Sequence, residues 1–405
     1  MKRWKKIILI LLAVAIISQF PFAYRRYKLG KLANAIQQVN SESQRYRKTD
    51  DGYAEYKGVI HVHSFLGGHS TGTFENIIAA ANANELDFVI MTEHPSKSFD
   101  TSAMTLKGVH ATVLFVNGNE VASANQDRLL VMPGDETAAI ASNASTPDLL
   151  TQEKAKRALA FIAYPREFKS WQADGFDGVE VYNVFTNAQR VNPFVTFFDG
   201  LWAFHSFPDL LFATFYARPT DVLKLWDEAI VQQNRRLVAI AGNDAHANIG
   251  ISLNDSAGKT LLGIKLDPYE RSFRLVRVHV LVENGKALNT ETLLSALHDG
   301  HCFIAFDLFG NTQGFSITAT NGAEKKIQGD EIGLANGVRL LVQVPVSSRI
   351  VLIKNGREAQ EQIGPSSREF VITEKGVYRV EVYLPQLPKP VSDQPWIISN
   401  PIYVR

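Results

Sequence analysis

The sequence predicts an α/β domain followed by an all-β domain, both behind a single N-terminal membrane-spanning helix. Three observations predict it. An apolar stretch flanked by basic residues stands at the front, continuously apolar runs alternate with helical segments from Gly58 to about Gly310, and strands alone follow. At 405 residues the chain can bury at least one sizeable core, and with 45% hydrophobic and 20% charged residues it is a folding composition, not a disordered one. A formal net charge of +1 supplies no global basic field, so no nucleic-acid partner is indicated. The one cysteine, Cys302, cannot form an internal disulfide, leaves the redox compartment open, and reads as a small buried hydrophobe.

Residues 1–28 read as the anchor. Lys2, Arg3, Lys5 and Lys6 precede an apolar stretch from Ile7 to about Ala23, and Arg25, Arg26 and Lys28 follow at once. A span needs roughly 20 apolar residues, with about 17 near the lower limit, so this stretch is adequate. Pro21-Phe-Ala23 is a poor cleavage site and a basic cluster follows it, which favours an uncleaved anchor over a signal peptide. The leading basic residues put the N-terminus in the cytoplasm and the body outside the cytoplasmic membrane. Residues 29–56 are polar and charged, and read as a partly helical stalk.

From residue 57 to 310 the apolar runs are Val59–Val62, Phe88–Met91, Thr112–Val116, Leu129–Met132, Leu159–Ala163, Val179–Tyr182, Leu237–Ala241 and Leu275–Val282. Continuous apolarity suits strands buried on both faces of a parallel sheet. Helices are predicted over Phe74–Glu85, Thr220–Arg235 and Thr290–Asp299, the last closed by Gly300. The result is a layered or barrel α/β domain. From residue 311 to 405, strands are predicted over Phe315–Thr320, Val338–Val344, Arg349–Lys354, Phe370–Thr373, Val377–Leu384 and Trp396–Val404. Asn355-Gly356 marks a hairpin, and the set fits a small β-sandwich.

The chemistry begins at His61-Val62-His63. Residues i and i+2 of a strand share a face, so two imidazoles converge there, either as metal ligands or as a pair on a solvated strand end. Three further strands run into acidic or imidazole side chains: Phe88–Met91 into Thr92-Glu-His94, Thr112–Val116 into Asn117-Gly-Asn-Glu120, and Leu237–Ala241 into Gly242-Asn-Asp-Ala-His246. Active sites of parallel α/β folds are built at that C-terminal rim. Mixed imidazole and carboxylate donors suit Zn, Mn or Fe. Such ions lower the pKa of bound water from 15.7 to about 7, yielding a hydroxide nucleophile. Glu120 is the bridging candidate, and Asp244 could both ligate and orient the attacking water. Arg166 is a candidate clamp for an anionic substrate, though a solvated loop arginine is its more ordinary reading.

These motifs resemble the PHP (polymerase and histidinol phosphatase) superfamily, which carries His-x-His, Thr-Asp-His, a Glu after the next strand, and a late Asp-x-His. His61/His63, His94, Glu120 and Asp244/His246 match in that order, and His69 matches a further histidine ligand of some members. The resemblance spans roughly residues 57–310, and residues 311–405 resemble the β-sandwich appended to some membrane-linked members. It implies a distorted (β/α)7 TIM-like barrel holding two or three divalent ions and hydrolysing phosphoesters, or occasionally other esters and amides. Three departures stand out: Thr92-Glu-His94 in place of Thr-Asp-His, Ser70-Thr71-Gly72 in place of Ser-Asp-Gly, and Tyr164, in Ala163-Tyr164-Pro165, in place of a ligating histidine. Glu180 or Asn183 stands where some members have another histidine. Two ions rather than three are therefore expected.

The leading expectation is a membrane-held phosphoesterase acting on a small phosphorylated substrate. An ester or carbamate hydrolase on the same metals, and a catalytically eroded PHP domain serving as a binding module, are the alternatives. His110, His279 and His298 read as structural. The aromatic segment 194–216 reads as a core-covering helical hairpin, with a lid or a bilayer-facing patch as its functional alternatives.

Overall fold

The structure is a computed structural model and describes residues 3–46, 50–189, 192–248, 250–254, 260–265, 267–335 and 337–405. Anchor and stalk are one continuous helix, α1 (Arg3–Ser43). Its leading apolar residues are exposed, and it is long and apolar enough to cross a membrane. In its second half Leu32, Ile36 and Val39, at helical spacing, are buried in the main core. The polar composition of 29–56 thus hides an apolar stripe that docks the helix. Asn40 and Glu42 add hydrogen bonds, accepting from the amides of Asn311 and Ser347 at 2.9 and 3.1 Å.

The α/β region comprises β1 (Tyr53–Val62), α2 (Phe74–Ala83), β2 (Phe88–Met91), α3 (Thr101–Met104), β3 (Gly108–His110), β4 (Val113–Val116), β5 (Asn119–Ala122), β6 (Arg128–Met132), α4 (Thr146–Ala155), β7 (Leu159–Ala163) and β8 (Gly178–Asn183). It continues with α5 (Val184–Ala188), α6 (Pro193–Ala203), α7 (Thr220–Gln233), β9 (Val238–Gly242), the antiparallel pair β10 (Gly250–Asn254) and β11 (Thr260–Lys265), α8 (Tyr269–Leu275), β12 (Arg277–Glu283), α9 (Thr290–Asp299) and β13 (Cys302–Ala305). Asn289 and Thr292 form a capping box for α9, and Gly300 ends it in the left-handed conformation.

The strands are not parallel throughout. β1, β2 and β4 are mutually parallel, as are β7, β8 and β9, but β6 is antiparallel to both its neighbours and β12 is antiparallel to β1. Burial on both faces makes a strand continuously apolar whatever its direction, so apolarity could not fix orientation. β5–β9 form one five-stranded sheet, and β1, β2 and β4 belong to a twelve-stranded one. Their C-terminal ends are stitched together. Asn243 donates to Ile60 O, His63 to Ala245 O, and Glu93 to Gly118 O, at 2.9, 3.1 and 3.2 Å.

The C-terminal strands are β14 (Ser316–Thr320), β15 (Lys325–Ile327), β16 (Glu331–Ile332), β17 (Val338–Gln343), β18 (Ser348–Lys354), β19 (Arg357–Gly364), β20 (Ser367–Ile372), β21 (Gly376–Tyr383), β22 (Ile397–Ser399) and β23 (Ile402–Val404). β19 carries no apolar signal because it is an exposed edge strand, and β15 and β16 are too short to show a pattern. Asn355 and Gly356, at φ 50° and 79°, make the tight turn between β18 and β19. β22 pairs with β13, so β16, β18, β19 and β21–β23 extend the sheet that holds β1, while β14, β15, β17 and β20 form a second sheet. The buried pair Arg379–Asp227, with Glu381 and Arg218, ties β21 to α7 and the loop before it.

Candidate metal centre

The stitched rim brings six of the sequence-identified side chains together. β1 bulges at His61, where the register with β2 slips, and His61 takes φ 67°. Asp244 and Tyr164 are likewise left-handed, at φ 47° and 49°. Such a conformation costs a non-glycine residue about 1–2 kcal/mol, and three of them at one rim mark backbone held against its preference. The bulge leaves the rings of His61 and His63 with centroids 5.1 Å apart.

Two overlapping groups of donor atoms result. His61, His63, Glu120 and Asp244 form one, all buried; His63, His94 and His246 form the other; within each group the donor atoms all lie within 4.8 Å of one another. Glu120 Oε2 faces His61 Nε2 at 3.2 Å, His63 Nε2 at 3.4 Å and His94 Nδ1 at 3.7 Å. Asp244 Oδ1 lies 3.5 Å from the Nε2 atoms of both His61 and His63. Both ring nitrogens of His63 and Asp244 Oδ1 are buried without a hydrogen-bond partner. Unpartnered buried polar atoms are costly, and donor sets of this kind are completed by a cation. The cluster could hold metal ions.

The far atom of each inner group is fixed by the next residue out. Glu120 Oε1 accepts from Arg128 Nη1 at 2.7 Å. Asp244 Oδ2 accepts from the Tyr164 hydroxyl at 2.8 Å and from Asn183 Nδ2 at 3.3 Å. His61 Nδ1 meets Glu180 Oε1 at 2.6 Å, and Glu180 Oε2 accepts from Asn183 Nδ2 at 3.1 Å. His246 Nδ1 must carry a proton, because it faces the Asp244 carbonyl at 2.9 Å. These partners orient ligand atoms and fix tautomers. Gly242 makes room for the arrangement, since a Cβ there would overlap the Glu180 carboxylate.

The electrostatics are those of a pocket that holds positive charge. Burial disfavours a charged imidazole at His61, but Glu180, Asp244 and Glu120 outweigh it and raise its pKa well above the usual histidine range. Burial alone dominates at His63, which falls to about 3 and stays a neutral donor. Burial would raise Glu120, yet its hydrogen bond and charge coupling to His61 pull it down to about 2. Burial and the neighbouring carboxylates push the Tyr164 phenol up, so it remains a hydrogen-bond donor.

His69 is exposed and lies outside both donor groups, its ring centroid 5.1 Å from that of His94. Arg166 pairs with Asp221 through Nη2 at 2.7 Å, and the cation beside the cluster is instead Arg128. Nothing in the sequence distinguished Arg128 from a solvated strand-end arginine. Glu93, the departure in Thr92-Glu-His94, lies outside both donor groups; its carboxylate accepts from the Ser64 amide at 3.0 Å and from Thr105 Oγ1 at 2.8 Å, bracing the turn after His63. The hydroxyls of Ser70 and Tyr269 donate to the carbonyls of His246 and His63, each at 2.5 Å, and hold in place the two loops that carry these histidines.

No family model matches this chain, and no curated protein matches it. Among solved structures it is similar to a two-domain protein from Bacteroides vulgatus containing a predicted PHP-like metal-dependent phosphoesterase. The identity is 13% and the TM-score 0.38, over 88% of this chain and 99% of that one. It is also similar to PsfC from Pseudomonas syringae, with 13% identity and a TM-score of 0.37 over 62% of this chain and 91% of that one.

Proposed function

We propose that this chain is a metal-dependent hydrolase of the PHP type, a phosphoesterase, held to the cytoplasmic membrane by α1. The observation that carries the reading is the pair of overlapping donor groups with unpartnered His63 nitrogens and Asp244 Oδ1 turned into them. The stitched strand ends support the distorted barrel that the motifs imply. Two neighbouring ions of the Zn, Mn or Fe class would suit the cluster, with His61, His63, Glu120 and Asp244 as the residues that would hold one and His94 and His246 contributing to the other. When bound, such ions supply a water nucleophile at neutral pH and neutralise negative charge on the reacting group.

The chain's own residues do the rest. Glu120 and Asp244 each present one oxygen inward because Arg128, Tyr164 and Asn183 hold the other. Tyr164 acts as a donor to Asp244 rather than as a ligand, which favours two ions over three. The half-exposed Arg128 guanidinium, 5.5 Å from the Tyr164 ring centroid, is the group best placed to pair with a substrate phosphoryl oxygen.

The test is metal analysis of the purified protein, followed by assays on phosphomonoester, phosphodiester and aryl-ester substrates. The reading requires about two ions per chain and metal-dependent phosphoester cleavage that His61→Ala with Asp244→Ala abolishes. A protein that binds no metal, or one whose activity survives both substitutions, would overturn it.

A further inference from the structure

The aromatic segment 194–216 reads from sequence as a core-covering helical hairpin, with a lid or a bilayer-facing patch as alternatives, and the surroundings of α6 favour the last. α6 is too short to cross a membrane, at 11 residues. It lies along α1 where the apolar stretch ends. The Phe198 and Phe22 rings stack with centroids 4.9 Å apart, Trp202 Nε1 donates to Gln19 Oε1 at 3.0 Å, and Arg25 grips both Asp199 oxygens at 2.8 and 2.9 Å. Asp199 is the charged residue of α6 and is buried in that pair, so the outward face carries no charge.

That outward face is apolar. Phe194, Phe197 and Leu201, at i, i+3 and i+7, are 64%, 53% and 66% exposed. Ile16, Ile17 and Phe20, at the end of the apolar stretch of α1 on which α6 packs, are exposed as well. Trp202 on α6 is partly exposed beside Gln19, and the exposed Tyr24 and Tyr27 come further along α1. The cations Arg25, Arg26, Lys28 and Lys31 are interleaved with Tyr24 and Tyr27 along α1. An apolar surface that gives way to mixed aromatic and cationic residues is the order in which a protein surface leaves hydrocarbon for the lipid interface.

We propose that α6 is an interfacial helix whose Phe194–Phe197–Leu201 face lies in the outer part of the bilayer beside α1, giving the body a second, non-spanning hold on lipid. The proposal rests on the reading of α1 as a membrane anchor. It makes the bilayer the occupant of this face, because α6 packs on the end of the apolar stretch of α1 and would lie where that stretch leaves the hydrocarbon. Fixing α6 against α1 through Arg25–Asp199 also fixes the tilt of the body over the membrane.

The experiment uses the full chain in phosphatidylethanolamine–phosphatidylglycerol vesicles, with an environment-sensitive fluorophore on Leu201→Cys, Ile17→Cys or Val371→Cys. Cys302 is fully buried, so the introduced cysteine is the one labelled. Nitroxide lipids should quench the labels at Ile17 and Leu201 and leave Val371, on β20, unquenched. The Leu201 label should lie about 5–10 Å deep in the headgroup–acyl boundary. Phe197→Cys, on the same face, should repeat the result. If Ile17 is quenched while Leu201 and Phe197 stay aqueous, the interfacial helix is overturned and the anchor stands. If Ile17 is also aqueous, the anchor fails and this proposal falls with it.

Discussion

At the scale of single residues, Glu180 controls the tautomer of His61 from a fully buried position. Glu180→Gln keeps the shape and weakens the hold on the Nδ1 proton, and should lower metal affinity by about 10- to 100-fold, measured by competition with a chelator. Arg128 separates the chemistries. Arg128→Lys loses the planar fork and should lower kcat/KM by about 10- to 100-fold, on the order of 1.5–3 kcal/mol, for a phosphoester but not for a neutral aryl ester. Equal losses on both substrates would assign Arg128 to holding Glu120 alone. Tyr164 bears on stoichiometry. Tyr164→His places an imidazole where the motif pattern has a ligand, and metal analysis should then show one more ion per chain than the parent protein. An unchanged count would show that Tyr164 does not occupy a third ion's position.

Among the elements, β1, β12 and the turn after β13 are clamped by a buried charge. His279 on β12 meets Glu55 Oε1 on β1 at 2.7 Å and Asp307 Oδ2 at 3.0 Å, with Thr312 and the Phe303 ring alongside and Arg277 on the same Asp307. Burial would lower its pKa, but Asp307 and Glu55 outweigh that and raise it to about 9. A folded-state pKa above the ordinary value of 6.5 means the charged clamp stabilises fully below about pH 6.5 and is lost as pH rises through about 9. The contribution is on the order of 3 kcal/mol. His279→Gln should therefore be less stable than the parent near neutral pH, and the gap should close above about pH 9; denaturant midpoints at two pH values would show it. A gap independent of pH would mean that packing, not charge, sets the loss.

For the whole molecule, the second half of α1 belongs to the body, while its first half is long and apolar enough to cross a membrane. Leu32, Ile36 and Val39 lie in the main core, and the helix reaches both the loop after β13 and the segment before β18. Burying three such side chains contributes on the order of 5 kcal/mol. A fragment beginning at Tyr53, the first residue of β1, should unfold at lower denaturant and bind more hydrophobic dye than one beginning at Gly30. Equal midpoints would show that the second half of α1 is a passive stalk.

Most of the site was legible in the sequence, because a strand end is a local feature: an apolar run followed by His, Glu or Asp names both the element and the atom it delivers. His61, His63, His94, Glu120, Asp244 and His246 were visible in that way, as were the helices around Phe74, Thr220 and Thr290 and the Asn355-Gly356 turn. What the tertiary structure alone decided depends on pairs distant in sequence. The directions of β6 and β12, the fusion of the C-terminal strands to β13, Arg128 rather than Arg166 beside the cluster, and the partnership of α6 with α1 all join residues far apart in the chain. Composition records how buried a segment is, but not against what. That is settled when strands pair and charges find partners, and it is there that Tyr164 became a donor to Asp244 and the apolar segment after α5 came to lie beside the apolar half of α1.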